Sequence, residues 1–390
     1  MKRDTASGAR QANPPEVPAA DKAARGRGAR SQSSAPASRN DIVQRALRLL
    51  SSYGLIVLLL VLFAAFSIAR PHTFPTTFNL QSIASAKSIV ALAALAVMVP
   101  LAAGQFDLSV GYLIGFAEVL TIGLQANQHL SWVASIVVVL AVGAVVGLVN
   151  GLLVTKAHVD SFITTLGVGS VLSGLGNWYT NGAEIILNKI PKTFTQLAGT
   201  YAGFPIPALY VFIVCIVLWL VLEFRPAGRR LYVIGASPRA AELTGIPKAR
   251  YITGSFVVAG VLAASAGAVL ASSLQVGQPG LGSDYLLPAF AGALLGSTTI
   301  RPGRVNVWGT IFAVITLAVA VSGLELLGAQ FYVEDLFNGI ILVVAVALAV
   351  NAERRRRGSR AAADRAAQSG APGSMPGDAD QPPAGATSGG

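Results

Sequence analysis

The feature that most limits this chain is a succession of apolar runs, too many and too long for the core of a soluble domain. They lie near 51–69, 82–103, 108–126, 131–154, 161–180, 207–223, 251–273, 285–299, 304–327 and 331–350. Most approach the roughly 20 residues that a helix needs to cross a bilayer. Only 12% of the residues are charged, against about 25% in an ordinary soluble domain. A chain of 390 residues cannot make a polar skin from so few. The expectation is an all-α, polytopic transmembrane helix bundle of about ten spans. Residues 49–351 would form the membrane domain, and 1–48 and 352–390, rich in Arg, Ala, Ser, Pro and Gly, would be disordered tails. Ser67 and Ala69 make a passable cleavage pattern after the first run. The long basic segment ahead of it and the many runs behind it favour a retained span.

The formal charge of +11 is unevenly spread. Residues 1–50 hold ten Lys/Arg against four Asp/Glu, 223–250 hold six against two, and 351–390 hold six against four. These basic residues flank apolar segments, which is the positive-inside pattern and argues against nucleic acid as the partner. With both termini cytoplasmic, the connections at 155–160, 224–250 and 300–304 fall inside. The outer side receives Arg70, Lys189 and Lys192.

Polarity enters the apolar runs at a few places, and each is costly. "LAAGQFDLSVG" sets Gln105, Asp107 and Ser109 between two apolar arms. It reads either as a broken helix beside a transport route or as a short surface loop with Asp107 capping the next helix, the expected role for Asp107 itself. "GLGNWYTNGAE" adds Asn177, Trp178, Tyr179, Asn181 and Glu184, which reads first as an interfacial aromatic belt. "GQPGLGSDYLLPAF", with Asp284 and Tyr285, reads as an outer turn. Glycines four apart at Gly143, Gly147 and Gly151, beside Asn150, at Gly111 and Gly115, and at Gly292 and Gly296 let helix backbones approach closely. Along the translocation path the expected residues are Gln105, Asp107, Ser109, Asn150, Asn177 and Trp178.

The segment "ELTGIPKARY" interrupts this oily chain with charge. In "SPRAAELTG", Pro238 suits a first helical turn and Gly245 a helix stop. The short helix between would show Ala240, Ala241 and Leu243, with Arg239 and Glu242 making polar contacts. Enzyme chemistry finds no footing: no phosphate-loop, nucleophile-elbow, zincin or dinucleotide motif occurs. The lone Cys215 lies in an apolar run, and His72, His129 and His158 share no ligand spacing, so no catalytic, cofactor or metal site is expected.

Four stretches together resemble the membrane permeases of bacterial ABC importers for monosaccharides of the ribose, xylose and arabinose type. They are "AGQFDLSVGYLIGF", "GLVNGLLVTKAHVDSFITTLG", "GRRLYVIGASPRAAELTGIPKARY" and "ALLGSTTIRPGRVNVWGTIFA", covering about residues 80 to 350 in the family's order. Ala103-Gly104-Gln105 departs from the family's Gly-Gly-Ile, and Arg301-Pro302 from its Gly-rich turn, which leaves the particular sugar open. The resemblance implies a multi-pass protein of the inner membrane, two permease copies, a separate ABC ATPase subunit and a periplasmic sugar-binding protein. It makes 224–250 the ATPase-coupling loop, with Gly228, Gly235, Arg239, Ala240, Glu242, Leu243 and Gly245 as its residues. A branched-chain amino acid or nucleoside permease of the same architecture is the alternative. An ion-coupled secondary transporter using Asp107 or Glu118 is the reading from another class.

Overall fold

The computed structural model describes residues 39–187 and 189–347. Of the tails expected at 1–48 and 352–390, residues 1–38 and 352–390 lie outside the described residues. The chain divides into two units between residues 46 and 47, and the described part of the first, 39–46, is helical. Helix α1 (Arg39–Ala69) therefore begins ten residues before the expected end of the tail.

The rest is almost wholly helical: α2 (Thr77–Ala102), α3 (Ser109–Ala126), α4 (Trp132–Thr155), α5 (Ser161–Thr180), the single turn α6 (Lys192–Thr195), α7 (Ile206–Trp219), α8 (Pro226–Ala236), α9 (Pro238–Leu243), α10 (Lys248–Leu274), α11 (Leu286–Gly296), α12 (Val307–Leu326) and α13 (332–347). Two small antiparallel ladders complete it. β1 (Ile185–Ile186) pairs with β4 (Val276–Gly277), and β2 (Thr200–Tyr201) with β3 (Phe204–Pro205).

Six described helices are long and apolar enough to cross a membrane: α2, α3, α4, α7 with the π-helical turn Leu220–Phe224 that continues it, α10 and α12. The expected count of ten is thus not established. In α1 the apolar part, Tyr53–Ala69, is shorter. α5 is 20 residues long but diluted by Ser161, Thr164, Thr165, Ser170, Ser173 and Asn177. α11 has 11 residues, a length of about 16 Å against a hydrocarbon core of about 30 Å. The last window runs past the described residues.

α2 is the axis of the bundle. Every residue from Ser88 to Pro100 is buried, as expected for a helix that is apolar on all sides, and it packs on α7, α10, α11 and α12. α4 and α7 instead present apolar faces outward, among them Val137, Val145, Phe212 and Val217, which suits a protein dissolved in lipid. The glycine spacings are packing devices. A Cβ on Gly143 would come 2.6 Å from the Ala264 Cβ of α10, and one on Gly151 would come 2.6 Å from the Thr253 Cα. Gly115 meets Gly282 and Gly296 meets Thr310 in the same way.

The connections sort into two ends. One end gathers 127–131, 181–205 and 275–285: Tyr179 donates to Gln128 at 2.8 Å, and Ser272 donates to the Phe194 carbonyl at 2.7 Å. The other gathers 103–108, 156–160, 225–247 and 297–306, tied by contacts of Gly104 with Gly235 and of Tyr232 with Val305. Lys156, the six basic residues of 224–250, Arg301 and Arg304 all belong to that second end.

Candidate functional site

At the second end α2 is stopped by its own sequence. Pro100 lies inside α2, which runs two residues past it, and Gly104 takes a φ of +75° that only glycine adopts freely. Among the six residues that follow α2, two N–H groups are held by side chains of α5. Ser161 accepts from the Phe106 N–H at 3.1 Å, and Thr165 accepts from the Leu108 N–H at 3.0 Å. Asp107 is 1% exposed. Its Oδ1 accepts from the Ser109 N–H at 3.1 Å and from the Ser109 hydroxyl at 2.6 Å, and Asn150 donates to that hydroxyl at 2.8 Å. Asp107 therefore does serve the first helical N–H of α3, but from a buried break rather than from a surface loop. Asn150 Oδ1 and Thr164 Oγ1, both buried, find no partner among the described residues. Gln105 is half-buried beside them.

This knot of α3, α4 and α5 yields a test. Asp107→Ala leaves two donors of Ser109 without an acceptor inside the protein, at a cost of about 1–3 kcal/mol. The unfolding midpoint of the detergent-solubilised protein should fall, while Asp107→Asn, which keeps Oδ1, should recover most of it. An unchanged midpoint in the alanine variant would remove Asp107 as the keystone of the break.

The residues expected along one path do not form one cluster. Gln105, Asp107, Ser109 and Asn150 lie together, whereas Asn177 and Trp178 are at the far end of α5. Asn177 is sixteen residues beyond Ser161, about 24 Å along the axis. Asn177 donates to the Ser173 carbonyl of its own helix at 3.0 Å, and Trp178 is 75% exposed, as a belt residue would be. Glu118, in the body of α3, is fully buried, and its two oxygens accept from the Gln278 N–H at 3.1 and 3.2 Å.

The polar loop covers the break. A Cβ on Gly235 would lie 3.1 Å from the Gly104 nitrogen and meet the Ala102 carbonyl, so α8 seats directly on the end of α2. Gly228 sits equally close to the main chain of Leu222. α9 follows with the punctuation that its residues predict. Ser237 accepts from the Ala240 N–H at 3.3 Å, Pro238 occupies the first turn, and Gly245, at φ +69°, follows the C-cap Thr244. One expectation needs correcting: Ala241 is 0% exposed, because it faces the body of the bundle while Arg239, Ala240, Glu242 and Leu243 face out. Leu243 is 83% exposed. Glu242 accepts a hydrogen bond from Lys248; that bond and the ammonium charge hold its carboxyl below the usual range.

A further cluster joins this loop to the α11–α12 connection. Arg301 donates to both oxygens of Glu223, and Arg304 Nη2 lies 3.6 Å from Glu223. The Arg304 guanidinium stacks 3.4 Å above the Tyr232 ring, and Tyr232 donates to the Val305 carbonyl at 3.0 Å. Burial pushes the Tyr232 phenol up. In the sequence Arg301 and Arg304 are only two of many basic residues at this end. Nothing local marks a pairing with a residue 78 positions away.

Comparison with known proteins bears on the whole of this region. The family model for the branched-chain amino acid transport system / permease component matches residues 79–346. The ribose import permease protein of Bacillus subtilis (strain 168) is 33% identical over 76% of this chain and 90% of its own length. The autoinducer 2 import system permease protein of Photorhabdus temperata is 31% identical over 75% and 89%. The L-arabinose ABC transporter permease protein of Azospirillum brasilense is 28% identical over 77% and 87%. No solved structure matches the chain.

Proposed function

Since the chain belongs to the branched-chain amino acid transport system / permease component family, we propose that it is the membrane-spanning permease of an ATP-driven importer for a monosaccharide. The observation that carries this reading is the similarity, along three-quarters of the chain, to importers named for ribose and L-arabinose. The family's title mentions amino acids, but relatives matched over most of their length carry the names of sugars, so the amino acid and nucleoside readings are not favoured. The chain is a transport subunit and not an enzyme. ATP hydrolysis belongs to a separate ABC ATPase, and substrate arrives on a binding protein.

Several finer points rest on this chain's own residues. The basic end of the bundle faces the cytoplasm, by the positive-inside rule, which puts both termini inside and α8–α9 where an ATPase can reach them. The apolar faces of α4 and α7 meet lipid or a second copy of the chain. In the transport cycle the ATPase moves α9, α8 carries the movement to the α2–α3 break, and the bundle opens first to one side and then to the other. The knot of Asp107, Ser109 and Asn150 is the polar point of the path nearest the cytoplasm, and Asn177 and Trp178 mark its outer end. Sparse polar groups suit a path in which selection is made by the binding protein.

Reconstitution tests this. In proteoliposomes carrying the chain with its ATPase and binding protein, uptake of labelled ribose or L-arabinose should require ATP and stop with vanadate. Uptake that persists without the ATPase, or that collapses with an ionophore, would overturn the proposal in favour of ion coupling through Asp107 or Glu118.

A further inference from the structure

We propose that Glu223, Arg301, Arg304 and Tyr232 are positioning residues that carry movement of the α8–α9 loop into the α11–α12 pair. This inference rests on the importer reading above.

Three observations converge on it. The first is the place of Glu223. It lies in the π-helical turn Leu220–Phe224, a geometry frequently found at functional sites. α8 begins two residues after that turn, and Gly228 of α8 packs against its main chain at Leu222. A displacement of α8 therefore reaches Glu223 through backbone contact.

The second is the stiffness of the connection that holds Arg301 and Arg304. Asn306 donates to the carbonyls of Gly296, Thr299 and Arg304 at 3.3, 3.1 and 3.2 Å, and it accepts from the Gly309 N–H at 2.7 Å. A single buried amide thus fastens the end of α11, the turn and the start of α12 into one piece. What moves Arg301 or Arg304 moves both helices, and those helices pack along α2.

The third is the way the two parts are joined. A single partly exposed ion pair contributes little, but this one does not stand alone. Glu223 takes up Arg301 with both oxygens and has Arg304 beside it, Arg304 stacks on Tyr232 of α8, and Tyr232 reaches back to Val305. Trp219 of α7 packs on Trp308 of α12 at 6.3 Å between ring centroids. Contiguous charged and packed groups between two rigid bodies are the physical means by which displacement is passed on.

The experiment measures ATP hydrolysed per sugar taken up, in proteoliposomes with the ATPase and binding protein. Glu223→Gln and Arg301→Gln should each raise that ratio about fivefold or more, the lower range of allosteric coupling. ATP hydrolysis itself and the unfolding midpoint should stay near wild type. The double variant should be no worse than the worse single, because both remove the same link. Arg301→Lys, which keeps the charge, should recover most of the coupling. Unchanged ratios in both single variants, strictly additive effects, or failure of the lysine to recover any coupling would overturn the inference. If Glu223→Gln does not accumulate, Arg301→Gln and Arg301→Lys decide it, Arg301 being 47% exposed. Wild-type vesicles separate the two levels of the argument. If they take up sugar without ATP, the importer reading fails; if they need ATP and the variants couple normally, only this inference fails.

Discussion

Gly147→Leu should leave little or no folded protein. A Cβ at position 147 would stand 2.7 Å from the Phe256 carbonyl carbon and 2.7 Å from the Val257 Cα of α10. These are main-chain atoms, so no rotamer change relieves the clash and α4 must separate from α10. α10 has nowhere to retreat. On its other side Gly267 already faces Ala117, whose Cβ would be 2.6 Å from an added one, and the Glu118 nitrogen at 3.1 Å. Overpacking a core usually costs about 1–3 kcal/mol, and a wedge between two backbones in a three-helix stack should exceed that. The measurement is the monodisperse fraction in detergent together with the unfolding midpoint. Gly254→Ala supplies the contrast on the facing helix α10, since nothing lies within 4 Å of an added Cβ there and alanine is favoured over glycine in helices by about 1 kcal/mol. It should be neutral or mildly stabilising. Equal recovery of the leucine variant and wild type would mean that the α4–α10 seam is not what holds the bundle.

That contrast also shows what a sequence can say about such a fold. Four-residue glycine spacing announced close helix approach at Gly143, Gly147 and Gly151, but it could not say that α10 was the partner, because partners are set by packing in three dimensions. Local signals fared best where the physics is local. Ser237, Pro238 and Gly245 mark the limits of α9 by capping and by positive φ, and all three act as their residue types suggest. Window hydropathy was weaker. It made a span of 285–299, where the helix has 11 residues after a 3-10 turn, and it gave α5 the same standing as α4 although α5 carries hydroxyls that pin the α2–α3 break. Polar residues inside the apolar runs were read as costly, but the sequence alone did not reveal that Asp107, Ser109 and Asn150 lie toward one end of α5 and Asn177 and Trp178 at the other. The Glu223 cluster was invisible for the same reason: a contact across 78 positions leaves no periodic trace. Ala241 was assigned outward because a six-residue helix is too short for its pattern to reveal which side is covered.

Leu243→Asp should abolish uptake while leaving the permease folded. Leu243 is 83% exposed at the end of α9, and it lies among the charged groups of the basic end rather than on the outward apolar faces of α4 and α7. An isolated surface leucine needs no explanation. This one projects from a helix whose whole construction, from the Ser237 cap to the Gly245 stop, serves to present one turn beyond the bundle. Helices that dock in a groove do so through such apolar anchors, flanked by polar contacts, here Arg239 and Glu242. An aspartate in that position carries an unpaired charge into the groove, and loss of a central anchor costs about 2 kcal/mol or more at protein interfaces, a drop in affinity of thirtyfold or greater. Stability should hardly change, since the side chain packs on little of its own protein. Glu242→Arg should act in the same direction by replacing an anion held ready by Lys248 with a third cation beside Arg239 and Lys248. The check is twofold: co-purification of the ATPase with each variant, and ATP-driven uptake in proteoliposomes. Leu243→Met, which keeps the apolar volume, should retain both. If the aspartate variant binds its ATPase and imports sugar at the wild-type rate, α9 is not the surface through which ATP hydrolysis drives this bundle, and the cytoplasmic contact must lie elsewhere on the basic end.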